Sequence, residues 1–395
     1  MVYPLVHNPF DAADLEVMIN SIKSGQFTMG PKVKEFEVAF AKKIGSRFAV
    51  MVNSGSSANL IAAFGLPYKT NSQIGPGSEV LVPGIGWSTT WSPLHQAGYK
   101  LKVIDVNPET LNVDFESYRD AITENTKMIV TVSVLGNPLE FTKLKKLCVE
   151  KNIILFEDNC ESIGASVENK ACGTFGDIGT FSFFYSHHIS TIEGGMTVTD
   201  DEELYHILLS LRAHGWTREI PATSFIGGKK ADELRENYNF IFPGFNVRPL
   251  EMSGALGLSQ LGKLDGLVKK RRENAKLFST LMKKHDQTFS IQIEKSGLSS
   301  WYSFPIILKS GNSLERDRLL VHLKNNGIEA RMITGGCLTL HPMRKYFNFV
   351  SYKSPIEAER IHNCGLFVAN HAVDMTKMFE ALDIALTSFK AENAL

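Results

Sequence analysis

The sequence of 395 residues has no excess charge of either sign, since 42 Lys and Arg stand against 42 Asp and Glu. This removes any whole-chain electrostatic footprint for duplex nucleic acid or an anionic membrane surface, so neither is expected as a partner. Any bound anion must be gripped locally. No apolar run reaches the roughly 18 residues of a spanning helix, and Met1-Val2-Tyr3-Pro4 lacks the charged-then-apolar layout of a secretory signal. A cytoplasmic location is the expectation. Cysteine is sparse and scattered: Cys148, Cys160, Cys172, Cys337 and Cys364 form no CxxC and no His/Cys pair at zinc-ligand spacing. That excludes a disulfide scaffold, a structural zinc and an iron–sulfur cluster, and leaves reduced, mostly buried thiols. Internal repeats and low-complexity tracts are also absent. What remains, at 43% hydrophobic and 21% charged residues, is an ordinary globular composition with length for two or three domain-sized units.

Between about residues 50 and 200, short β-rich runs alternate with helix-like stretches. The runs are 79–82, 102–106, 128–132, 153–156, 180–184 and 196–199. Several are almost continuously apolar, as strands covered on both faces are, and helical segments such as Phe141 to Lys151 suit crossovers. The fold class is α/β with a mainly parallel sheet, in which ligands sit beyond the carboxyl ends of the strands. Residues 219–245, with Gly227-Gly228-Lys229-Lys230, read as a long surface excursion. A helix from about Pro249 to Lys283 leads to a smaller α+β region, with a strand at 304–308 and helices near 316–326 and 375–390. The expected division is an N-terminal helix or arm (1–20, with periodic Leu15, Met18, Ile19 and Ile22), a large domain (21–260) and a small one (261–395).

Four features fall at turns or strand ends. Asn53-Ser54-Gly55-Ser56-Ser57 opens into a helix, where exposed amides and hydroxyls suit a phosphate; ordinary N-cap chemistry fits it equally. Asp158 follows an apolar strand, where a carboxylate needs a partner such as a protonated heterocyclic nitrogen, or else caps a helix. Ser182 begins a strand exit through His187 and His188 to Glu193-Gly194-Gly195, and imidazole is the side chain suited to moving protons near neutrality. Solvation is the ordinary fate of such a histidine pair. Trp87, after the strand at 79–82, offers a plane for stacking on a ring, against the default of core packing. A phosphate cup, a stacking plane, an acid for a ring nitrogen and a proton shuttle are what pyridoxal phosphate requires.

The chain resembles the sugar aminotransferase and dehydratase branch of the fold-type I, aspartate-aminotransferase-like superfamily. The motifs that carry the resemblance span nearly its whole length: Phe27-Thr28-Met29-Gly30-Pro31, Ser54-Gly55-Ser56, Trp87-Ser88-Thr89-Thr90, Leu135-Gly136-Asn137-Pro138, Glu157-Asp158, Gly173-Thr174-Phe175-Gly176, Glu193-Gly194-Gly195 and Gly244-Phe245-Asn246-Val247-Arg248. It implies a large domain with a mainly parallel sheet of the seven-stranded type and a smaller α+β domain. One position departs from the aminotransferases: five residues after Ser182, where they carry the Schiff-base lysine, stands His187. An imidazole cannot hold the cofactor covalently but can still exchange a proton. In this the chain is similar to the histidine-bearing nucleotide-sugar 3-dehydratases. Those that act on CDP sugars carry cysteines for an iron–sulfur cluster, which this chain does not supply.

The resemblance therefore implies GDP-4-keto-6-deoxy-D-mannose and L-glutamate as substrates, and pyridoxal 5′-phosphate cycling with pyridoxamine 5′-phosphate. The sugar loses its C3 hydroxyl, with 2-oxoglutarate and ammonia as the other products. His187 is implied as the base. Asp158 is implied at the ring nitrogen, Trp87 on the ring and Glu161 close to it. Gly55, Ser56 and Ser182 hold the phosphate, with Asn246 reaching in from the second subunit of a homodimer. His214, Arg218 and Arg331 are candidates for contacts to cofactor, sugar, phosphate or carboxylate. Two rivals remain: a nucleotide-sugar 4-aminotransferase with an atypical base, and a non-catalytic cofactor-binding scaffold or regulator.

Overall fold

The structure, a computed structural model, describes residues 2–227 and 232–393. Gly228, Lys229 and Lys230 of the expected excursion lie outside the described residues. The main sheet is built from β1 (Phe48–Val52), β2 (Glu79–Pro83), β3 (Lys100–Ile104), β4 (Thr126–Val132), β5 (Ile154–Asp158), β6 (Ile178–Ser182), β7 (Gly195–Thr199) and β8 (Phe349–Ser351). Their order across the sheet is β1-β7-β6-β5-β4-β2-β3-β8. All neighbours are parallel except β7, which runs antiparallel to both β1 and β6. The six anticipated strands are present, with ends moved by up to two residues. The expectation of seven strands needs correction, because an eighth, β8, comes from the C-terminal third and pairs with the β3 edge that would otherwise stay open.

Strand β4 shows why this sheet forms: Thr-Lys-Met-Ile-Val-Thr-Val is rich in β-branched residues and almost wholly buried, as a central strand covered on both faces must be. Helix α1 (Ala12–Lys23) and helix α2 (Pro31–Ile44) pack on the long α6 (Glu251–Met282), while α3 (Gly55–Gly65), α4 (Ser88–Gln96) and α5 (Glu202–Arg212) cover the sheet. Gly30 caps α2 without a side chain of its own. The carboxylate of Glu251 does that work from α6, accepting the amides of Gly30 (2.7 Å) and Lys32 (2.6 Å). Glu37 of α2 accepts from Met51 N in β1 and from Arg212, so the same face also anchors the sheet edge.

Helix α6 runs through residue 260, so the chain passes into its C-terminal part along one continuous helix. That part holds a four-stranded antiparallel sheet in the order 289–290, 303–308, 365–369, 330–332, covered by the helices Ser313–Asn325 and Thr376–Asn393. The apolar stripe of α1 does not enter a core: Leu15, Ile19 and Ile22 are each about half exposed, whereas Asp14 is fully buried against Ser259, Gln260 and Lys263. Among the described residues no helix is long and apolar enough to cross a membrane, and no cluster of side chains forms a metal site. All five cysteines are free thiols.

Candidate active site

The carboxyl ends of β2, β5 and β6 and the start of α3 converge on a cavity of about 330 Å³. Ser54 caps α3 by accepting from Ser57 N at 3.1 Å, which leaves the first-turn amides of Gly55 and Ser56 for an acceptor from outside the helix. Gly55 is required by closeness: a Cβ there would stand 2.6 Å from the Cβ of Ser182. Without it, the helix N-terminus and the end of β6 share one small-residue cup, lined also by Ser56 and Thr89. Amides, hydroxyls and the positive end of a helix are the donor set for a phosphate.

Asp158 ends β5 with its side chain 5% exposed. Oδ2 accepts from Asn59 Nδ2 (2.9 Å) and Thr90 Oγ1 (2.7 Å), and Oδ1 accepts from Cys160 N (3.2 Å). Every donor is neutral, and no ion pair reaches it among the described residues. The N-cap alternative fails, because residues 159–164 form turns rather than a helix. A buried carboxylate balanced only by dipoles is suited to a cation arriving with a ligand, such as a protonated pyridine nitrogen. Its neighbour Glu157 points to the opposite face, as strand alternation demands, and accepts from Gly173 N (2.7 Å) and Gly176 N (2.5 Å). Glu161 lines the cavity and accepts from Leu135 N at 2.9 Å; burial, with the charge of Asp158 adding, pushes its carboxyl up to about 7.

Trp87 is 57% exposed and lines the same cavity, so it is no core tryptophan. That role falls to Trp91, fully buried with Nε1 donating to Pro83 O at 3.0 Å. His187 lies in the turn after β6, its amide donating to Phe184 O and its ring 5.1 Å from that of Tyr302. Burial, then the charge of Arg271, pulls its pKa down to about 3, so the imidazole is a neutral proton acceptor across the physiological range. No lysine lines this cavity among the described residues. His188 is buried and turned away, its Nε2 bonded to Ser300 O at 3.0 Å.

Gly55, Ser56, Trp87, Asp158, Glu161, Ser182 and His187 are thus together in one cavity. Four other candidates are not part of it within one chain. Asn246 is exposed and accepts from Arg248 Nε at 3.1 Å. His214, at φ 62°, meets Trp216 edge-on at 4.6 Å, and Arg218 lies 3.9 Å over the same indole. Arg331 is exposed on the strand 330–332 of the smaller sheet. Sequence reasoning missed Asn59 and Thr90, the two side chains that hold Asp158. The available signal was a polar residue at the fifth position of helix α3 amid Ala58, Leu60 and Ile61, and the second threonine after Trp87. Tyr302 and Arg271 carried no local signal.

The cup, the uncompensated acid and the exposed indole fit pyridoxal phosphate, and the fold that carries them is that of the fold-type I enzymes. The chain belongs to the DegT/DnrJ/EryC1/StrS aminotransferase family, whose model matches residues 10–387. It is 45% identical over 383 residues to GDP-4-keto-6-deoxy-D-mannose 3-dehydratase of Escherichia coli O55:H7, covering 96% of this chain and 97% of that one. It is also similar to a crystal structure of a GDP-4-keto-6-deoxymannose-3-dehydratase mutant with bound GDP-perosamine, with a TM-score of 0.94 and 44% identity, covering 97% of this chain and 100% of the other. A structure of such an enzyme with a trapped PLP–glutamate geminal diamine matches with a TM-score of 0.93 at 44% identity, over 97% of this chain and 100% of that one.

Proposed function

We propose that this chain removes the C3 hydroxyl of GDP-4-keto-6-deoxy-D-mannose, giving GDP-4-keto-3,6-dideoxy-D-mannose, with L-glutamate as reductant and 2-oxoglutarate and ammonia as the other products. The balance closes: the C3 hydroxyl leaves as water, one water supplies the keto oxygen of 2-oxoglutarate, the two electrons lost by glutamate reduce the sugar, and the glutamate nitrogen leaves as ammonia. The observation that carries this reading is an imidazole in a cavity without a lysine, where an aminotransferase presents its Schiff-base amine.

When bound, pyridoxamine 5′-phosphate supplies the amine that joins sugar C4 and a protonated ring that takes up the released electron pair. The chain's own groups do the rest. The amides of Gly55 and Ser56 and the hydroxyl of Ser182 grip the phosphate, which matters more here because no covalent bond retains the cofactor. Asp158 keeps the ring nitrogen protonated, and Trp87 covers the ring. His187 would accept the proton from the cofactor methylene carbon without delivering it to sugar C4, the transfer by which a lysine would finish a transamination. Glutamate with the GDP sugar and added cofactor tests this: free ammonia and a dideoxy sugar are expected, whereas a stable 4-amino sugar supports the aminotransferase reading instead.

The working form is a homodimer with shared sites, in the cytoplasm, where five free thiols suit the redox state. Two observations support the dimer. Leu15, Ile19 and Ile22, with Phe27 and Leu250, are exposed apolar side chains on one part of the molecule, and Asn246, His214 and Arg218 stand outside their own chain's cavity. Mixing Asn246→Ala with His187→Asn subunits checks this, since only shared sites restore activity in the mixture.

A further inference from the structure

His187 is also part of the wall of a second cavity, of about 180 Å³, on the far side of the turn. The N-terminal segment Leu5–Pro9 closes over it, and α6 contributes Arg271. Its wall carries Arg271, the imidazoles of His7, His187, His188 and His371, and the phenol of Tyr302, and among the described residues no Asp or Glu lines it.

Arg271 is 7% exposed, and Nη1 donates to Tyr302 O (3.0 Å) and to Asn370 O. Its Nε is buried without a partner, as is that of Arg212, but among the described residues no carboxylate lies within ion-pair reach of Arg271. The contrast is Arg212, 3% exposed, which pairs with Glu37 and Glu219 at 2.5 Å each. Buried cations are ordinarily paired in that way, because desolvation of an isolated charge is expensive. For Arg212, burial lowers proton affinity and the two glutamates more than reverse it; for Arg271, burial is opposed only by the Tyr302 phenol and brings the pKa down to about 10.

We propose that this back pocket is a binding site for a small monovalent anion, of the halide or short carboxylate class, held by the guanidinium of Arg271 and the surrounding imidazoles. The occupant completes the ion pair that the chain leaves open and lies against the rear of the proposed base. Two classes of group face His187 from opposite sides: Tyr185, His188, Arg271 and Tyr302 behind, and Asp158, Glu161 and Glu193 in front.

The test needs no knowledge of a physiological occupant. Crystals of the cofactor-loaded protein soaked in bromide are expected to show an anomalous peak in this pocket within hydrogen-bond reach of the Arg271 guanidinium. Ordered water alone at that position, at a bromide concentration that labels other sites, overturns the proposal. Formate binding by calorimetry gives the second measurement. One formate per chain is expected, with affinity lowered at least tenfold in Arg271→Gln, its folding confirmed by an unchanged circular dichroism spectrum. Equal formate affinity in both proteins contradicts the assignment, and the bromide result stands on the parent protein if that variant does not fold.

Discussion

The two cavities that share His187 are electrostatic opposites. In front, Asp158 is a buried anion satisfied by an amide, a hydroxyl and a backbone N–H. Behind, Arg271 is a buried cation satisfied by two backbone carbonyls. Other buried charges are paired internally, Arg212 with Glu37 and Asp14 with Lys263. Glu157 and Glu251 are likewise held by backbone amides alone, but Asp158 and Arg271 each line a cavity, one suited to a cationic ring nitrogen and the other to an anion. His187 lines both cavities, and burial, with the charge of Arg271 adding, favours its neutral form.

The comparison breaks most severely at Asp158. Asp158→Asn keeps a similar shape but removes the charge, and a roughly 10²–10³-fold loss of turnover is expected, the scale of deleting one preorganised electrostatic group. Formate binding behind His187 should be unchanged in that variant, which separates the two cavities. Gly55→Ala acts on the front only: the new methyl, 2.6 Å from Ser182 Cβ, opens the phosphate cup. Equilibrium dialysis should show about tenfold weaker retention of pyridoxamine phosphate, with a stability cost of about 1–3 kcal/mol. Glu161→Gln gives the smallest effect. Burial holds that carboxyl at about 7 against a reference of 4.5, so the folded chain keeps a proton that the unfolded chain releases in this interval. Its contribution to stability therefore falls as pH rises from about 4.5 to 7. The variant should gain on the order of 1–3 kcal/mol over the parent at pH 8 relative to pH 4.5 in urea unfolding, without altering anion binding.

Much of the front was legible in the sequence because its groups lie at the ends of strongly apolar strands. The run 153–156 placed Asp158 at a carboxyl end, and Ser182 and His187 follow the strand after it. What sequence could not separate was Glu157 from Asp158, since either could face the cavity until the strand's register was known. Asn59 lies 99 residues from Asp158 and Thr90 lies 68 away, so their hydrogen bonds exist only through the sheet's crossovers. The back was not legible at all. Its wall combines residues 5–9, 185–188, 271, 302–303 and 369–373, joined by packing of α6 and the smaller sheet on the turn. Edge strand β8 was invisible for a similar reason, as three half-exposed residues become a strand only because β3 has an open edge.

The role of His187 as the base between the two cavities is tested most directly by hydrogen exchange at the cofactor. Protein loaded with pyridoxamine phosphate and the GDP sugar in deuterium oxide should replace one methylene hydrogen of the cofactor with deuterium. His187→Asn should slow that exchange roughly 10²–10⁴-fold, the usual contribution of a positioned acid–base group. Exchange at the parental rate in the variant contradicts the account.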